Sequence, residues 1–100
     1  LTLYKEAKMI LSFKHKGLEL FFTTGSTARI QAKHATKLRL QLDALNRATC
    51  PQDMNAPSWR LHPLKGNLKE HWSITVNGNW RITFKFENGH AEIVDYQDYH

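Results

Sequence analysis

A chain of 100 residues with 41% apolar side chains, three Trp, three Tyr and five Phe is enough for one small domain with one packed core, and excludes a disordered chain. No apolar run approaches a membrane span and no secretory leader is recognisable, so the sequence predicts a soluble cytoplasmic protein with no membrane partner. The net charge of +5 is uneven, with twelve of the fourteen Lys and Arg in residues 1–69 against four acids there, a field that draws in polyanions.

Residues 1–8 precede Met9, where a recognisable pattern begins. They read as an N-terminal extension outside the core fold, and residues 9–100 as the domain. Ile10 to His15 alternates in polarity and predicts a short strand. Gly17 to Thr24 carries Leu18, Phe21 and Phe22 at helical spacing and stops at Gly25. From Ala32 to Ala48, Ala35, Leu38, Leu42 and Leu45 recur every three or four residues while Lys33, Lys37, Arg39 and Arg47 face away, predicting an amphipathic helix with a basic outer surface. Thr49 to Ser58, with Pro51, Asn55 and Pro57, reads as a loop. Cys50 is the single cysteine, so no internal disulfide can form and a reducing compartment fits. Placed before Pro51, it reads as the end of a helix rather than as a nucleophile.

The remainder reads as a β-meander. Trp72, Ile74 and Val76 share one face of a strand, and Trp80, Ile82, Phe84 and Phe86 one face of the next. A three-residue loop, Asn77-Gly78-Asn79, opposes Val76 to Trp80, Ile74 to Ile82 and Trp72 to Phe84, keeping the faces unmixed. A two-residue turn at Asn88-Gly89 then pairs Phe84 with Ile93, Phe86 with Ala91 and Lys85 with Glu92. Unbroken alternation would set Arg81 opposite Tyr96. The predicted fold is α+β: two N-terminal helices on one face of a mainly antiparallel sheet, and Arg60, His62, Arg81, Tyr96, Asp98 and His100 on the other.

That face has the parts for cutting RNA through its own 2′-hydroxyl. The reaction needs a base for that proton, an acid for the leaving 5′-oxygen and positive charge on the transition state. Two histidines can share the proton transfers near neutral pH; Lys65 and Arg81 can supply the charge, and Tyr96 or Tyr99 can stack on a splayed base. Taken singly, each has a plainer reading: His62 as a turn histidine, Lys65 as a solvated lysine, Arg81 as half of a surface ion pair, Asp98 as a counter-charge. His15, His34, His71 and His90 read as surface or packing residues. No HxxxH, HxH or Cys-His spacing occurs, so no metal site and no cofactor is implied.

Four motifs carry a resemblance: Ile10 to Leu18 (I-L-S-F-K-H-K-G-L), Arg60 to Gly66 (R-L-H-P-L-K-G), Trp72 to Phe84 and the ending Asp95 to His100 (D-Y-Q-D-Y-H). From Met9 to His100 the chain resembles the HigB toxins of the RelE superfamily of bacterial type II toxin–antitoxin systems. The resemblance implies a RelE-like fold and an mRNA interferase that enters the A site of the 70S ribosome and cuts the message being translated. It implies a HigA-like helix-turn-helix antitoxin as partner, with operator DNA reached only through that antitoxin. It carries the catalytic positions to His62, Asp98, Tyr99 and His100 and the phosphate-side cations to Lys65 and Arg81. Arg60, Tyr96, Lys33 and Lys37 are the further RNA-binding candidates. The competing reading is a non-catalytic, basic RNA- or ribosome-binding module that stops translation by occupancy. A DNA-binding regulator fits poorly, because no helix-turn-helix pair is readable.

Overall fold

The computed structural model describes residues 10–99. The extension assigned to residues 1–8, the start of the fold at residue 9 and the site residue His100 lie outside the described residues. The first helix, α1 (Lys16–Thr24), is delimited by its caps: His15 Nδ1 accepts the Leu18 N–H, and Gly25 at φ 84° returns its N–H to the Phe21 carbonyl. Arg39 completes that C-terminus from outside. Its guanidinium donates to the Phe21 and Phe22 carbonyls at 3.1 and 3.5 Å and lies 4.8 Å from the Phe21 ring centroid, placing a cation where unpaired helix carbonyls collect negative charge.

The predicted 32–48 helix divides into a 3-10 turn, Ala32–His34, and α2 (Ala35–Arg47). Leu38, Leu42 and Leu45 are fully buried. So is Gln41, whose Nε2 donates 2.8 Å to the Thr75 carbonyl. The 49–58 segment is less irregular than expected: Pro51–Met54 forms a 3-10 turn that sends Met54 into the core.

Four strands, β1 (His62–Pro63), β2 (His71–Asn77), β3 (Trp80–Glu87) and β4 (His90–Asp98), form an antiparallel meander in chain order. Residues 10–13 do not make the strand that their alternation suggests. They run parallel to β4 through two isolated bridges, Ile10 with Ala91 and Phe13 with Val94, and cover an edge that would otherwise present unpaired backbone groups.

The sheet corrects the expected register twice. Ile74 pairs with Ile82 and Trp72 with Phe84, as alternation requires, but Trp80 pairs with Asn77 rather than Val76. The loop is therefore two residues, Gly78 and Asn79, and the extra residue is a bulge at Val76. Parity is unchanged because one residue has moved from the loop into the strand.

The second correction reverses a face. Phe86 pairs with Ala91 and Lys85 with Glu92 as expected, but Thr83 then pairs with Asp95 and Ile82 with Tyr96. Phe84 is spanned by two residues, Ile93 and Val94, and Ile93 takes φ 55°. A β-branched residue rarely adopts that conformation. Ser12 holds the distortion, its hydroxyl accepting the Ile93 N–H at 2.9 Å and its carbonyl the Val94 N–H at 3.1 Å.

Beyond the bulge, Val94 and Tyr96 enter the core beside Ile82 and Phe84. Tyr96 is 4% exposed; its ring lies 4.5 Å from that of Trp80, and its hydroxyl 2.7 Å from Nδ1 of the buried His34. The Gln31 N–H donates to the same oxygen, and the phenol can direct its own proton to Nδ1 of a neutral His34. The shifts agree: burial, reinforced by Lys33, lowers the His34 pKa, and burial raises that of Tyr96.

Two outcomes are expected. Because the native state holds His34 neutral while an unfolded chain protonates it near its ordinary 6.5, this stability is present above that pH and is lost as pH falls below it toward the lowered native value. Urea midpoints should drop between about pH 7.5 and about pH 5.5, less so in His34→Asn, and Tyr96→Phe should cost about 1–2 kcal/mol at neutral pH. Gly17→Ala should destabilise by about 1–3 kcal/mol although alanine favours helix, because its Cβ would stand 2.6 Å from the Arg29 Cβ and 2.7 Å from the Arg29 carbonyl oxygen.

Candidate functional site

The helices pack on one face of the sheet, leaving the polar alternation on the other. One ladder row crosses all four strands: His62 opposite Ser73, Ser73 opposite Thr83, Thr83 opposite Asp95. The next row sets Arg81 between Thr75 and Gln97, about 6–7 Å along the strands. Ser73 and Thr83 are fully shielded, and the Ser73 hydroxyl has no hydrogen-bond partner among the described residues. These small side chains at the centre are covered by their neighbours, Gln97 Nε2 lying 3.5 Å from the Thr83 hydroxyl.

Local backbone explains how His62 is presented. Arg60 takes φ 54° and turns its carbonyl under the imidazole, with Nδ1 of His62 3.2 Å from the Arg60 oxygen. A carbonyl only accepts, so Nδ1 carries the proton and Nε2 is the nitrogen available for proton transfer. Trp59 is buried and Leu61 packs against the core, while Arg60 and His62 are exposed, as parity requires.

Arg81 is half-buried and bends back onto the β2–β3 turn, its Nη1 donating to the carbonyls of Gly78 at 2.8 Å and Trp80 at 3.2 Å. The chain end reaches the same turn: the Tyr99 N–H donates 2.8 Å to the Asn79 carbonyl. Alternation after the bulge sets Asp95, Gln97 and Tyr99 on the Arg81 side. Asp98, exposed and opposite Trp80, falls on the other alternation.

The structure thus brings His62, Arg81 and Tyr99 to one side of the sheet. Lys65 is exposed in the β1–β2 connection, on the side of the His62 row away from Arg81. The expected placement of Tyr96 on this face is overturned, because its ring is core and its hydroxyl serves His34; it is not a surface for RNA. Lys33 is exposed and Lys37 half-buried, and both belong to the helical layer across the sheet from His62. They do not join that face. No cluster of three or more His, Cys, Asp or Glu able to hold a metal occurs among the described residues. An open groove of about 410 Å³ between α1 and α2, lined by Phe21, Ala35 and Arg39 among others, contains none of these residues.

Unbroken alternation turns Asp95 and Gln97 away from this face, and the bulge brings them onto it. Asp95 Oδ1 accepts the Tyr96 N–H at 2.9 Å, and its Oδ2 accepts from Gln97 Nε2 at 2.7 Å. One signal was available: apolar residues at Ala91, Val94 and Tyr96 cannot share a face unless a residue is gained between 91 and 94.

The model of the HigB-like toxin family, described as RelE-like toxin of the type II toxin–antitoxin system HigB, matches residues 11–100. A curated protein of Proteus vulgaris named Endoribonuclease HigB is 49% identical over 92 residues, which are 92% of this chain and 100% of that protein. Toxin HigB-1 of Vibrio cholerae serotype O1 is 35% identical over 85 residues, covering 83% of this chain and 90% of its own. Among solved structures, the YoeB dimer from Staphylococcus aureus superposes with TM-score 0.57 at 17% identity, over 95% of this chain and 99% of its own, a likeness of fold.

The corrected parity is open to direct check. Under native conditions tetranitromethane should nitrate Tyr99 well before Tyr96, read by mass spectrometry of the C-terminal peptide, and equal rates would contradict the bulge.

Proposed function

Because this chain belongs to the HigB-like toxins of type II toxin–antitoxin systems, we propose that it is the endoribonuclease of such a pair and cuts translated message in the ribosomal A site. One observation carries the reading: 49% identity to a curated endoribonuclease over that protein's whole length. An antitoxin partner follows from the family. A HigA-like helix-turn-helix protein, reaching operator DNA in its own right, is the form proposed here.

The chemistry assigns the parts. The 2′-oxygen attacks the adjacent phosphorus as a base removes its proton; the P–O5′ bond breaks as an acid protonates the leaving oxygen, giving a 2′,3′-cyclic phosphate and a 5′-hydroxyl. His62, with Nδ1 engaged by the Arg60 carbonyl, offers Nε2 for one transfer, and His100 takes the other. Arg81 and Lys65 stabilise charge on the phosphorane-like transition state, Tyr99 stacks on or orients the substrate, and Asp98 positions a neighbouring group. Lys65 must be brought near the phosphate by its loop, since it lies on the side of the His62 row away from Arg81. The basic outer surface of the helical layer, with Lys33 in the 3-10 turn and Lys37 in α2, faces ribosomal RNA. No helix of the described residues is long and apolar enough to cross a membrane, which suits a cytoplasmic site of action.

Primer extension on a reporter message after induction tests the assignment. Wild type should produce discrete 5′-hydroxyl ends inside the coding region, and His62→Ala and His100→Ala should each reduce them by about 100-fold or more. Intact message with arrested translation in all three would instead establish occupancy without cutting. Ribosome binding should weaken steeply as salt rises from about 50 to about 200 mM; a flat response in a pelleting assay would remove the role of the α2 surface.

A further inference from the structure

The polar face continues past the His62 row. Two residues further along β2 and β3, His71 stands opposite Lys85, about 6–7 Å beyond Ser73 and Thr83 and on the side away from Arg81. Both side chains are partly exposed, and the reaction described above uses neither. His71 repeats the arrangement at His62, its Nδ1 lying 3.4 Å from the carbonyl two residues back, that of Lys69. A carbonyl at Nδ1 leaves Nε2 as the nitrogen that meets a ligand. Lys85 belongs to none of the ion pairs among the described residues, although Glu92 is its partner across the ladder. The Leu64 N–H closes on the His71 carbonyl at 2.9 Å, so Lys65, next in the chain, adds a cation at the same end.

Charge on this face is therefore divided by strand. His62, His71, Arg81 and Lys85 come from β1, β2 and β3, whereas β4 contributes Glu92 and Asp95. A polyanion lying on the sheet is repelled from β4 and held over β2 and β3, so its path runs along the strands from Arg81 past His62 to Lys85. RNA carries a phosphate at every nucleotide, and a strand whose reacting phosphate lies between His62 and Arg81 brings the next phosphate over the next row. That phosphate favours the imidazolium form of His71, whose Nε2–H donates to it, and the Lys85 ammonium adds a second donor and charge. Resting on the reading that this protein cuts RNA, we propose that His71 and Lys85 form a second backbone subsite, binding the phosphate next to the one that is cut. The subsite reads no base and moves no proton. It holds the strand in register with His62.

The experiment is steady-state cutting of a short message on ribosomes at several salt concentrations by wild type, Lys85→Gln, His71→Gln and Lys85→Arg. A second set of messages carries an uncharged methylphosphonate in place of one phosphate at a time beside the cut. Lys85→Gln and His71→Gln should each raise KM about fivefold to tenfold with kcat within about twofold, and Lys85→Gln should lower the slope of log KM against log salt by about 0.7. Lys85→Arg, which keeps the charge, should hold KM near that of wild type. One methylphosphonate adjacent to the break should raise the wild-type KM by a similar factor and add nothing further in Lys85→Gln. An unchanged KM in Lys85→Gln overturns the proposal. So does a raised KM with the wild-type methylphosphonate penalty intact, which would show Lys85 meeting ribosomal RNA or an acidic protein instead of the message, and so does a fall in kcat at constant KM, which would place the pair in the chemistry. A wild type that cuts no message fails the nuclease reading itself.

Discussion

Ile93 at φ 55°, its N–H held by the Ser12 hydroxyl, decides which side of the sheet the end of the chain faces. A β-branched residue in that conformation carries about 1–3 kcal/mol of strain. The surroundings over-determine it. Ser12 bonds two consecutive amides of β4, Lys14 returns its N–H to the Val94 carbonyl, and the residues that follow bury Val94 and Tyr96. Without the extra residue, Tyr96 would meet solvent and Asp95 and Gln97 would lie beneath the helices, where unpaired polar groups are costly.

Tyr96 transmits this constraint to the N-terminal half. Its hydroxyl closes a buried network with His34 and the Gln31 amide, and its ring packs with Trp80 and edge-on to His15. His15 in turn caps α1. Two histidines that read as incidental are thus the fixed points by which both helices are located on the sheet. The polar face inherits its geometry from them, because Asp95 and Gln97 flank Tyr96 in the chain.

The cations divide by position. Arg39 is drawn into structure, closing the C-terminus of α1 and pairing with Asp43 at 3.7 Å. Arg81 is half-restrained on the turn that also receives Tyr99, whereas Lys65 sits in a connection exposed to solvent. A restrained guanidinium loses less entropy on meeting a phosphate than a free lysine does. That difference suits Arg81 to positioning and Lys65 to a longer-range electrostatic part.

The sequence by itself determined the architecture. Hydrophobic spacing every three or four residues and the stop at Gly25 locate both helices, alternation locates β2, β3 and β4, and the pairs Ile74–Ile82, Trp72–Phe84 and Lys85–Glu92 follow from parity. It also placed His62 and Arg81 away from the core, since both are flanked by apolar neighbours. What it could not determine was any parity beyond Ile93, because a bulge there depends on Ser12, more than eighty residues away by the separation of their hydrogen bond. Propensity argues against isoleucine in that conformation, and only tertiary contacts override it. Burial of Tyr96 and the turning of Gln97 onto the polar face beside Asp95 were both decided there, where a local rule yields to the packing of the whole chain.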